Sequence, residues 1–323
     1  MQSAAPIFVL GSFVAAVSMK VARLPAPGET LQGDALLLEA GGKGLNVAIA
    51  ARRLGAYVDG VVAIGTDRLA SMAVEALAAA QLPAHILIQF PGPSGTGVGL
   101  IDTHGENIIA VYAGANALLS AQNIEAAASR IAGSSAVVAQ FEITDEPIAA
   151  AFAVARHHGV RTILNPSPFR PIARQILAAT DVLAVNASEA NAMAASLALN
   201  AADHSTDSWQ AFRPLATALF QTGLEVLIVT LGSGGAALWH RDGTSFWQPA
   251  FPARAVDATG CGDAFLAGLI VCASLSNDWA EALRLGCACG TITCARVGVV
   301  GALPTYADAS ELARHQLSDR DRP

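Results

Sequence analysis

The segment Asp257–Gly268 contains the residues with the clearest potential for chemistry. Gly260 and Gly262 stand one residue apart, and Asp263 and an apolar run that predicts a helix follow directly. Glycines let the backbone turn tightly and approach a ligand closely. Backbone amides at a helix N-terminus are a natural site for a phosphate. The amides of Gly260, Cys261 and Gly262 would therefore line a phosphate site.

Asp263 has two possible roles in this segment. A carboxylate would repel a bound phosphate, so Asp263 is not itself a phosphate ligand. It could instead take a proton from an attacking hydroxyl group, as phosphoryl transfer requires. Alternatively, Asp263 caps the helix and the two glycines only form a turn. The loop alone leaves both interpretations open.

A second glycine cluster, Gly41-Gly42-Lys43-Gly44-Leu45-Asn46, also precedes a predicted helix. It has neither the spacing of a P-loop nor that of a dinucleotide-binding fingerprint. Lys43 and Asn46 could donate hydrogen bonds to substrate hydroxyl groups near the start of the helix. The alternative is a glycine-rich bend with a solvated lysine.

Polar residues and glycines also stand where several predicted strands end. Thr230 and Gly232 follow one buried run, Asn186 and Glu189 follow another, and Glu142 follows a third. In open parallel sheets, ligands bind at the carboxyl ends of the strands. Each residue is a weak signal alone, but together they exceed what a structural scaffold requires.

The scaffold that positions these motifs is predicted from alternating strand and helix patterns. Strands are predicted at Ile7–Leu10, Val61–Ile64, Val137–Ala139, Thr162–Leu164, Val182–Val185 and Val226–Thr230. Helices are predicted at Leu45–Leu54 and Leu69–Ala80, between a Thr144 cap and Gly159, from Ser188, and near 263–275 and 279–295. This alternation is typical of an α/β protein with a doubly wound, mostly parallel sheet and helices on both faces.

Two segments interrupt the alternation and predict a small accessory sheet. Thr30–Ala40 has an extended pattern, and Gly97–Ile101 and Asn107–Tyr112 predict a hairpin with a turn at residues 102–105. Lid segments near 12–42 and 95–113 could cover a ligand and exclude water. An ordinary edge hairpin is the alternative. Without a clear linker, the whole chain, 1–323, is interpreted as a single domain.

Composition excludes several classes of protein. Of the 323 residues, 53% are hydrophobic and 14% are charged, which excludes a disordered chain because disorder requires low hydrophobicity and high charge. The five cysteines are an odd number, so a disulfide framework is not expected. The net charge of −7 and the lack of a Lys/Arg run argue against nucleic-acid or membrane partners.

The high hydrophobicity raises the question of a membrane segment. A spanning helix needs about 20 mostly apolar residues, and no such run is present. The first residues, Met1–Met19, lack the basic region of a signal peptide. A cytoplasmic protein is therefore expected.

The motifs, taken in order, resemble the ribokinase or PfkB family of sugar and nucleoside kinases. They are Gly11-Ser12, Pro27–Thr30, Gly41–Asn46, Gly95–Val98, Gly105–Asn107, Ala113–Asn116, Asn165-Pro166, Asn186–Glu189, Thr230–Gly232 and Asp257–Asp263. The resemblance extends from Gly11 to about Pro304. It implies a ribokinase-like α/β fold with a β-sheet lid and an ATP-dependent kinase that acts on a hydroxyl group of a small sugar.

The resemblance also implies roles for individual residues. Asp263 would be the catalytic base, and the amides of Gly260, Cys261 and Gly262 would form the anion hole. The sugar would be held by Gly42, Lys43, Asn46 and Glu142. ATP would lie near Asn186, Glu189, Thr230 and Gly232, with Glu189 reaching Mg²⁺ through water. A monovalent cation, usually K⁺, would lie near Asp257, Thr259, Arg296 and Gly298. The lid would also pair two subunits into a homodimer.

One segment departs from the family pattern. Ribokinases usually carry Gly-Ser-x-Asn-x-Asp at the first strand, and the Asp holds two sugar hydroxyls. Here Val14 and Ala16 stand at the two polar positions. A missing hydrogen-bond partner costs about 1–3 kcal/mol. A substrate with an apolar or bulky edge is therefore expected to fit better than ribose.

Two alternatives remain beside the sugar kinase. One is a nucleoside kinase of the same family. The other is a non-catalytic sugar-binding relative, which the loss of polarity at Val14 and Ala16 favours slightly. The complete Gly260–Asp263 loop weighs against the second alternative, since binding alone does not need a base.

Overall fold

The computed structural model describes residues 5–104, 106–199, 209–276 and 278–320. Gly105, which belongs to the motif Gly105–Asn107 and to the predicted hairpin turn, lies outside the described residues. The strands are β1 (Ile7–Ser12), β2 (Val14–Lys20), β3 (Ala35–Gly41), β4 (Val58–Ile64), β5 (Leu87–Gln89), β6 (Gly95–Ile101), β7 (Asn107–Tyr112), β8 (Ala136–Gln140), β9 (Arg161–Asn165), β10 (Val182–Asn186), β11 (Val226–Thr230), β12 (Ala236–His240) and β13 (Ser245–Gln248).

Helices connect most of these strands. They are α1 (Lys43–Arg53), α2 (Ala70–Ala79), α3 (Ala121–Ala126), α4 (Ala128–Ala132), α5 (Asp145–His157), α6 (Arg174–Ala178), α7 (Ala187–Ser196), α8 (Arg213–Phe220), α9 (Cys261–Ser276), α10 (Trp279–Cys294) and α11 (Tyr306–Arg320). Among the described residues, no helix combines the length and the apolar character that crossing a bilayer requires.

The main sheet has nine strands in the order β13-β12-β11-β10-β9-β8-β1-β4-β5. All neighbours from β11 to β5 are parallel, whereas β12 and β13 run antiparallel at one end. Successive residues of a strand point to opposite faces, and both faces are covered here. Ile7 and Val9 belong to one hydrophobic cluster, whereas Phe8 and Leu10 belong to the other. The predicted doubly wound, mostly parallel sheet is confirmed.

The lid is a separate sheet of four strands in the order β3-β2-β6-β7. Strand β2 pairs antiparallel with β3 and parallel with β6, and β6 and β7 form the predicted hairpin. The lid joins the main sheet closely, because only Phe13 separates β1 from β2. The Asn116 side chain holds Phe13 by accepting from its backbone N–H (3.1 Å) and donating to its carbonyl (2.7 Å).

Several boundaries differ from the sequence prediction. The pattern in Thr30–Ala40 was too long, because β3 begins at Ala35. Strands β2, β5, β12 and β13 were not predicted. No glycine or proline separates β2 from β1, so the change of sheet at Phe13 has no local signal. Thr144 does occupy the N-cap position of α5, but its side chain makes no capping hydrogen bond.

Candidate active site

A cavity of about 390 Å³ lies where three parallel strands end and α9 begins. Asn165, Asn186 and Thr230 are the last residues of β9, β10 and β11, and all three line the cavity. Lys43 and Asp263 line the same space. Because the carboxyl ends of parallel strands meet at one edge of the sheet, the fold collects these polar residues from distant parts of the chain.

Asp263 is the third residue of α9 and is only 5% exposed. The alternative that it caps the helix is wrong, because α9 already begins at Cys261. The carboxylate instead accepts hydrogen bonds from side chains of other elements. Asn46 Nδ2 donates to Oδ2 over 2.7 Å, and Gln140 Nε2 donates to Oδ1 over 3.4 Å.

The surroundings of Asp263 raise the pKa of its carboxyl group to about 6. Burial is the largest cause, because it disfavours the charged form. The nearby charge of Lys43 and the hydrogen bonds from Asn46 and Gln140 act in the opposite direction, while the charge of Glu142 adds to the rise. A carboxylate that titrates close to neutral pH is suited to accept a proton in catalysis.

Helix α1 begins against β1, and a carboxylate binds its first amide. Gly42 has φ +101, and a Cβ there would lie 2.7 Å from the Ser12 carbonyl oxygen, so the position requires glycine. The Lys43 N–H donates to Glu142 Oε2 over 2.8 Å, and the Ser12 hydroxyl donates to the same oxygen. The structure thus brings together Gly42, Lys43 and Glu142, which the sequence had singled out separately.

Two residues of this cluster had no predicted role. Gln140 is the last residue of β8, and Ser12 is the last residue of β1; both are almost fully buried. A polar residue that ends an otherwise apolar strand was the available signal. Gln140 Oε1 and Asn46 Oδ1 are buried and accept no hydrogen bond from any described residue. Asn46 therefore uses its N–H₂ group on Asp263 and leaves its carbonyl oxygen for a ligand, whereas the sequence had suggested that it donates to substrate.

The glycine loop before α9 adjoins the same cavity. Gly260 has φ +76, and both Gly260 and Gly262 line the cavity beside Asp263. The Cys261 N–H instead makes a long hydrogen bond to the Ala258 carbonyl (3.4 Å), so this amide is partly engaged within the loop. Burial, together with the neighbouring Cys294 thiol, raises the pKa of the Cys261 thiol to about 12. Cys261 is therefore not a thiolate nucleophile at neutral pH.

A second cavity of about 500 Å³ lies on the other side of Gly262. Thr230, Ala258 and Gly262 line both cavities, so the two spaces are adjacent. Most of the second cavity is apolar, and Gly232 lies at its edge with φ +58. A flat apolar ring system with a polar tail toward Gly262 would match this arrangement.

Asn186 and Glu189 form a reciprocal cap at the start of α7. The Glu189 N–H donates to Asn186 Oδ1 (2.8 Å), and the Asn186 N–H donates to Glu189 Oε2 (2.9 Å). Both residues line the first cavity. The cap fixes the Glu189 carboxylate in place and leaves Oε1 for other contacts.

The residues predicted to surround a monovalent cation are only partly connected. Asp257 Oδ1 accepts from the Thr259 N–H (2.9 Å), and Oδ2 accepts from the Gly298 N–H (3.2 Å). The Arg296 side chain instead reaches toward Asp308, with 3.8 Å between Nη2 and Oδ2. The guanidinium also donates to the Ala302 carbonyl (3.4 Å). Across the described ranges, no group of three or more His, Cys, Asp or Glu side chains could hold a metal ion.

Comparison with known proteins identifies the class. Residues 4–306 match the profile of the pfkB family carbohydrate kinases. The chain therefore belongs to this family, whose members phosphorylate sugars with ATP. It is 30% identical over 308 residues to a ribokinase of Haemophilus influenzae, covering 95% of this chain and 98% of that protein.

Solved structures agree with this assignment. A ribokinase from Thermotoga maritima has a TM-score of 0.85 and 25% identity over 96% of this chain and 99% of its own. A ribokinase from Arabidopsis thaliana, in complex with ribose and ATP, has a TM-score of 0.87 with the same identity and coverage. The ribokinase-like fold with its lid and the ATP-dependent carbohydrate kinase activity, both implied by the motifs, are confirmed.

Proposed function

We propose that Asp263 is the general base that accepts the proton of the sugar hydroxyl group attacking ATP. The supporting observation is the combination at one cavity of a buried carboxylate, two glycines on either side of the first residue of a helix, and Lys43. Transfer of a phosphoryl group needs a base near the hydroxyl and donors near the phosphate. The Asp263 carboxylate provides the first, and the amides of Gly260 and Gly262 provide the second.

The acceptor sugar binds between Asp263 and the start of α1. Lys43, Asn46 and Glu142 supply its hydrogen-bonding groups, and Gly42 lets the chain pass close to it. The buried Asn46 Oδ1 supports this placement, because an unpaired buried acceptor is costly until a ligand hydroxyl donates to it. Anchoring of Glu142 by Ser12 and the Lys43 amide holds its carboxylate ready for the sugar.

ATP occupies the second cavity, and its phosphates extend toward Gly260 and Gly262. The apolar lining suits the adenine base, and Thr230 and Gly232 lie beside it. The residues also fit Mg²⁺, because Glu189 keeps one carboxylate oxygen outside its helix cap and Mg²⁺ prefers oxygen ligands and bound waters. When bound, Mg²⁺ neutralises charge on the transferring phosphate. Cys261 contributes to the phosphate site mainly through its backbone.

K⁺ binds at the loop that Asp257 organises. The Asp257 carboxylate ties residue 259 to residue 298, and it retains lone pairs for a cation. The Thr259 carbonyl and the backbone around Gly298 are further oxygen ligands of the kind that K⁺ accepts. The Arg296 side chain does not contact the cation, and this residue contributes to the cation site through its backbone.

The lid carries an apolar face that a second copy of the chain covers. In the strand pairing, Val17 lies opposite Leu38 on one side and Val98 on the other, and Met19 lies opposite Leu36 and Leu100. Paired residues share a face, and Leu36 and Leu38 are 65% and 51% exposed. Large contiguous apolar patches mark interaction surfaces. The homodimer is therefore proposed to form through the lid.

The test of the proposed function is ADP release in the presence of MgATP. The acceptor panel comprises D-ribose, 2-deoxy-D-ribose, D-fructose, D-glucose and adenosine. Release above background with a sugar supports the proposal, and preference for adenosine would indicate the nucleoside kinase instead. Asp263→Asn should lower kcat by about 10²–10⁴-fold while ATP binding persists. Near-normal turnover by this variant would remove Asp263 as the base.

A further inference from the structure

Glu39 is a carboxylate on the lid that the proposed function does not use. In the pairing of β2 with β3, Glu39 lies opposite Ala16, and Gly41 lies opposite Val14. Paired residues in neighbouring strands project from the same face. Glu39 therefore shares a face with Val14 and Ala16. The exposed Leu36 and Leu38 of β3 project from the opposite face, whereas Leu37 lies farther along the same face as Glu39.

This face of the lid adjoins the proposed acceptor site. Strand β3 ends at Gly41, and α1 begins two residues later at Lys43, whose amide binds Glu142. Strand β2 begins two residues after Ser12, which binds the same carboxylate. Val14 and Ala16 thus follow directly from the residues that hold Glu142.

The position of the Glu39 carboxylate connects the lid to the glycine loop. A Cβ added at Gly298 would lie 2.7 Å from Glu39 Oε1, so the carboxylate packs against the Gly298 backbone. The next residue, Val299, lies close to Gly260, since a Cβ added at Gly260 would lie 3.2 Å from Val299 Cγ1. The backbone of Gly298 and Val299 therefore connects the Glu39 carboxylate to Gly260, which lines the cavity beside Asp263.

Glu39 is partly buried and has no hydrogen-bond or ion-pair partner among the residues that the structure describes. Partial burial of an unpaired carboxylate is unfavourable unless a ligand supplies donors. Hydroxyl groups of a polyol are suitable donors, because one carboxylate can accept from two adjacent hydroxyls.

We propose that Glu39 is a specificity-determining residue that binds hydroxyl groups of the acceptor other than the one phosphorylated. This inference rests on the proposed function. The acceptor is then a polyol that presents hydroxyl groups, rather than an apolar edge, to the lid. Val14 and Ala16 carry no polar group, and Glu39 supplies the missing carboxylate from the adjacent strand.

The experiment measures steady-state kinetics with the acceptor of the panel that gives the highest rate. Glu39→Ala should raise the KM for this acceptor by about 10- to 100-fold and change kcat little, because a ground-state hydrogen bond is lost. Glu39→Gln should have a smaller effect. Glu75→Ala, which removes an exposed carboxylate on α2, is the matched control and should match the wild type. An unchanged KM for ATP and an unchanged melting temperature verify that the variants are folded.

Two further comparisons separate a direct contact from an indirect one. The effect of Glu39→Ala should disappear with a deoxy analogue of the acceptor that lacks the contacted hydroxyl. Ala16→Asp in the Glu39→Ala background should restore a low KM, since it returns a carboxylate to the same face.

Three results would overturn the inference. An acceptor KM that Glu39→Ala leaves unchanged would overturn it alone. An effect of Glu39→Ala on K⁺ activation alone would also overturn it, because Glu39 would then act through the loop around Gly298. Absence of ADP release by the wild type with every acceptor would overturn the proposed function and this inference together.

Discussion

Asn46 in α1 donates a 2.7 Å hydrogen bond to Asp263 in α9, across 217 positions of the sequence. The contact links the two helices that follow glycines, one beside the proposed acceptor site and one beside the proposed phosphate site. It orients the Asp263 carboxylate and fixes the Asn46 amide so that its carbonyl oxygen is available. Geometry of this kind is what a proton transfer requires, because base and hydroxyl must be within hydrogen-bond reach.

The raised pKa of Asp263 predicts a pH-dependent stability difference. Burial raises its folded-state pKa from 3.8 to about 6, so the protonated form is favoured by folding. The resulting stability is fully present below pH 4 and is lost as the pH rises through 6. The free energy of unfolding of Asp263→Asn should therefore exceed that of the wild type at pH 8 by up to about 3 kcal/mol, with little difference at pH 4.

Thermal or urea unfolding at the two pH values measures this difference. Asp278→Asn provides a comparison, since it alters an exposed carboxylate at the N-cap of α10. A constant difference between Asp263→Asn and the wild type from pH 4 to pH 8 would contradict the raised pKa.

Gln140 is predicted to position Asp263, the proposed base, and to tune its proton affinity. Its amide donates to Asp263 Oδ1, and this hydrogen bond lowers the pKa of the carboxyl group. Gln140→Leu should therefore shift the acidic limb of the rate–pH profile to higher pH and reduce kcat more at pH 6 than at pH 8. The exposed Gln210→Leu serves as the control. A uniform loss across the pH range would indicate a structural role only.

The proposed cation loop predicts that K⁺ activates the enzyme through Asp257. Activity should fall when K⁺ is replaced by tetramethylammonium at equal ionic strength. Asp257→Asn should remove most of this difference, because it halves the carboxylate oxygens that a cation can use and weakens the contacts to Thr259 and Gly298. Equal activity of the wild type with both cations would refute the assignment.

The apolar face of the lid predicts a dimer that a single charge disrupts. Leu38→Lys should convert the dimer to a monomer, because a charged group in the centre of an apolar interface is left without a partner. Sedimentation equilibrium measures the change. Val74→Lys, at a site on α2 that is 51% exposed, should leave the mass unchanged. A monomeric wild type would exclude the interface.

Local sequence patterns predicted six of the nine strands of the main sheet, β1, β4, β8, β9, β10 and β11. The buried strand at Val226–Thr230 has the predicted bounds, and the α1 and α9 regions were predicted as helices that follow glycines. These features depend on residues that are neighbours in the chain: apolar spacing reports which face is buried, and glycine marks tight turns.

The tertiary structure decided which of the candidate residues meet. Ser12 and Gln140 carry only a weak local signal, a polar residue at the end of an apolar strand, and Glu39 carries none. Each acquires its place only through strand pairing or through contact with a distant element. Likewise, Arg296 was grouped with Asp257 by its place in the motif, but its side chain is directed to Asp308. The reason is physical: periodicity determines which residues are buried, whereas the partners of a buried polar group depend on sheet register and helix packing.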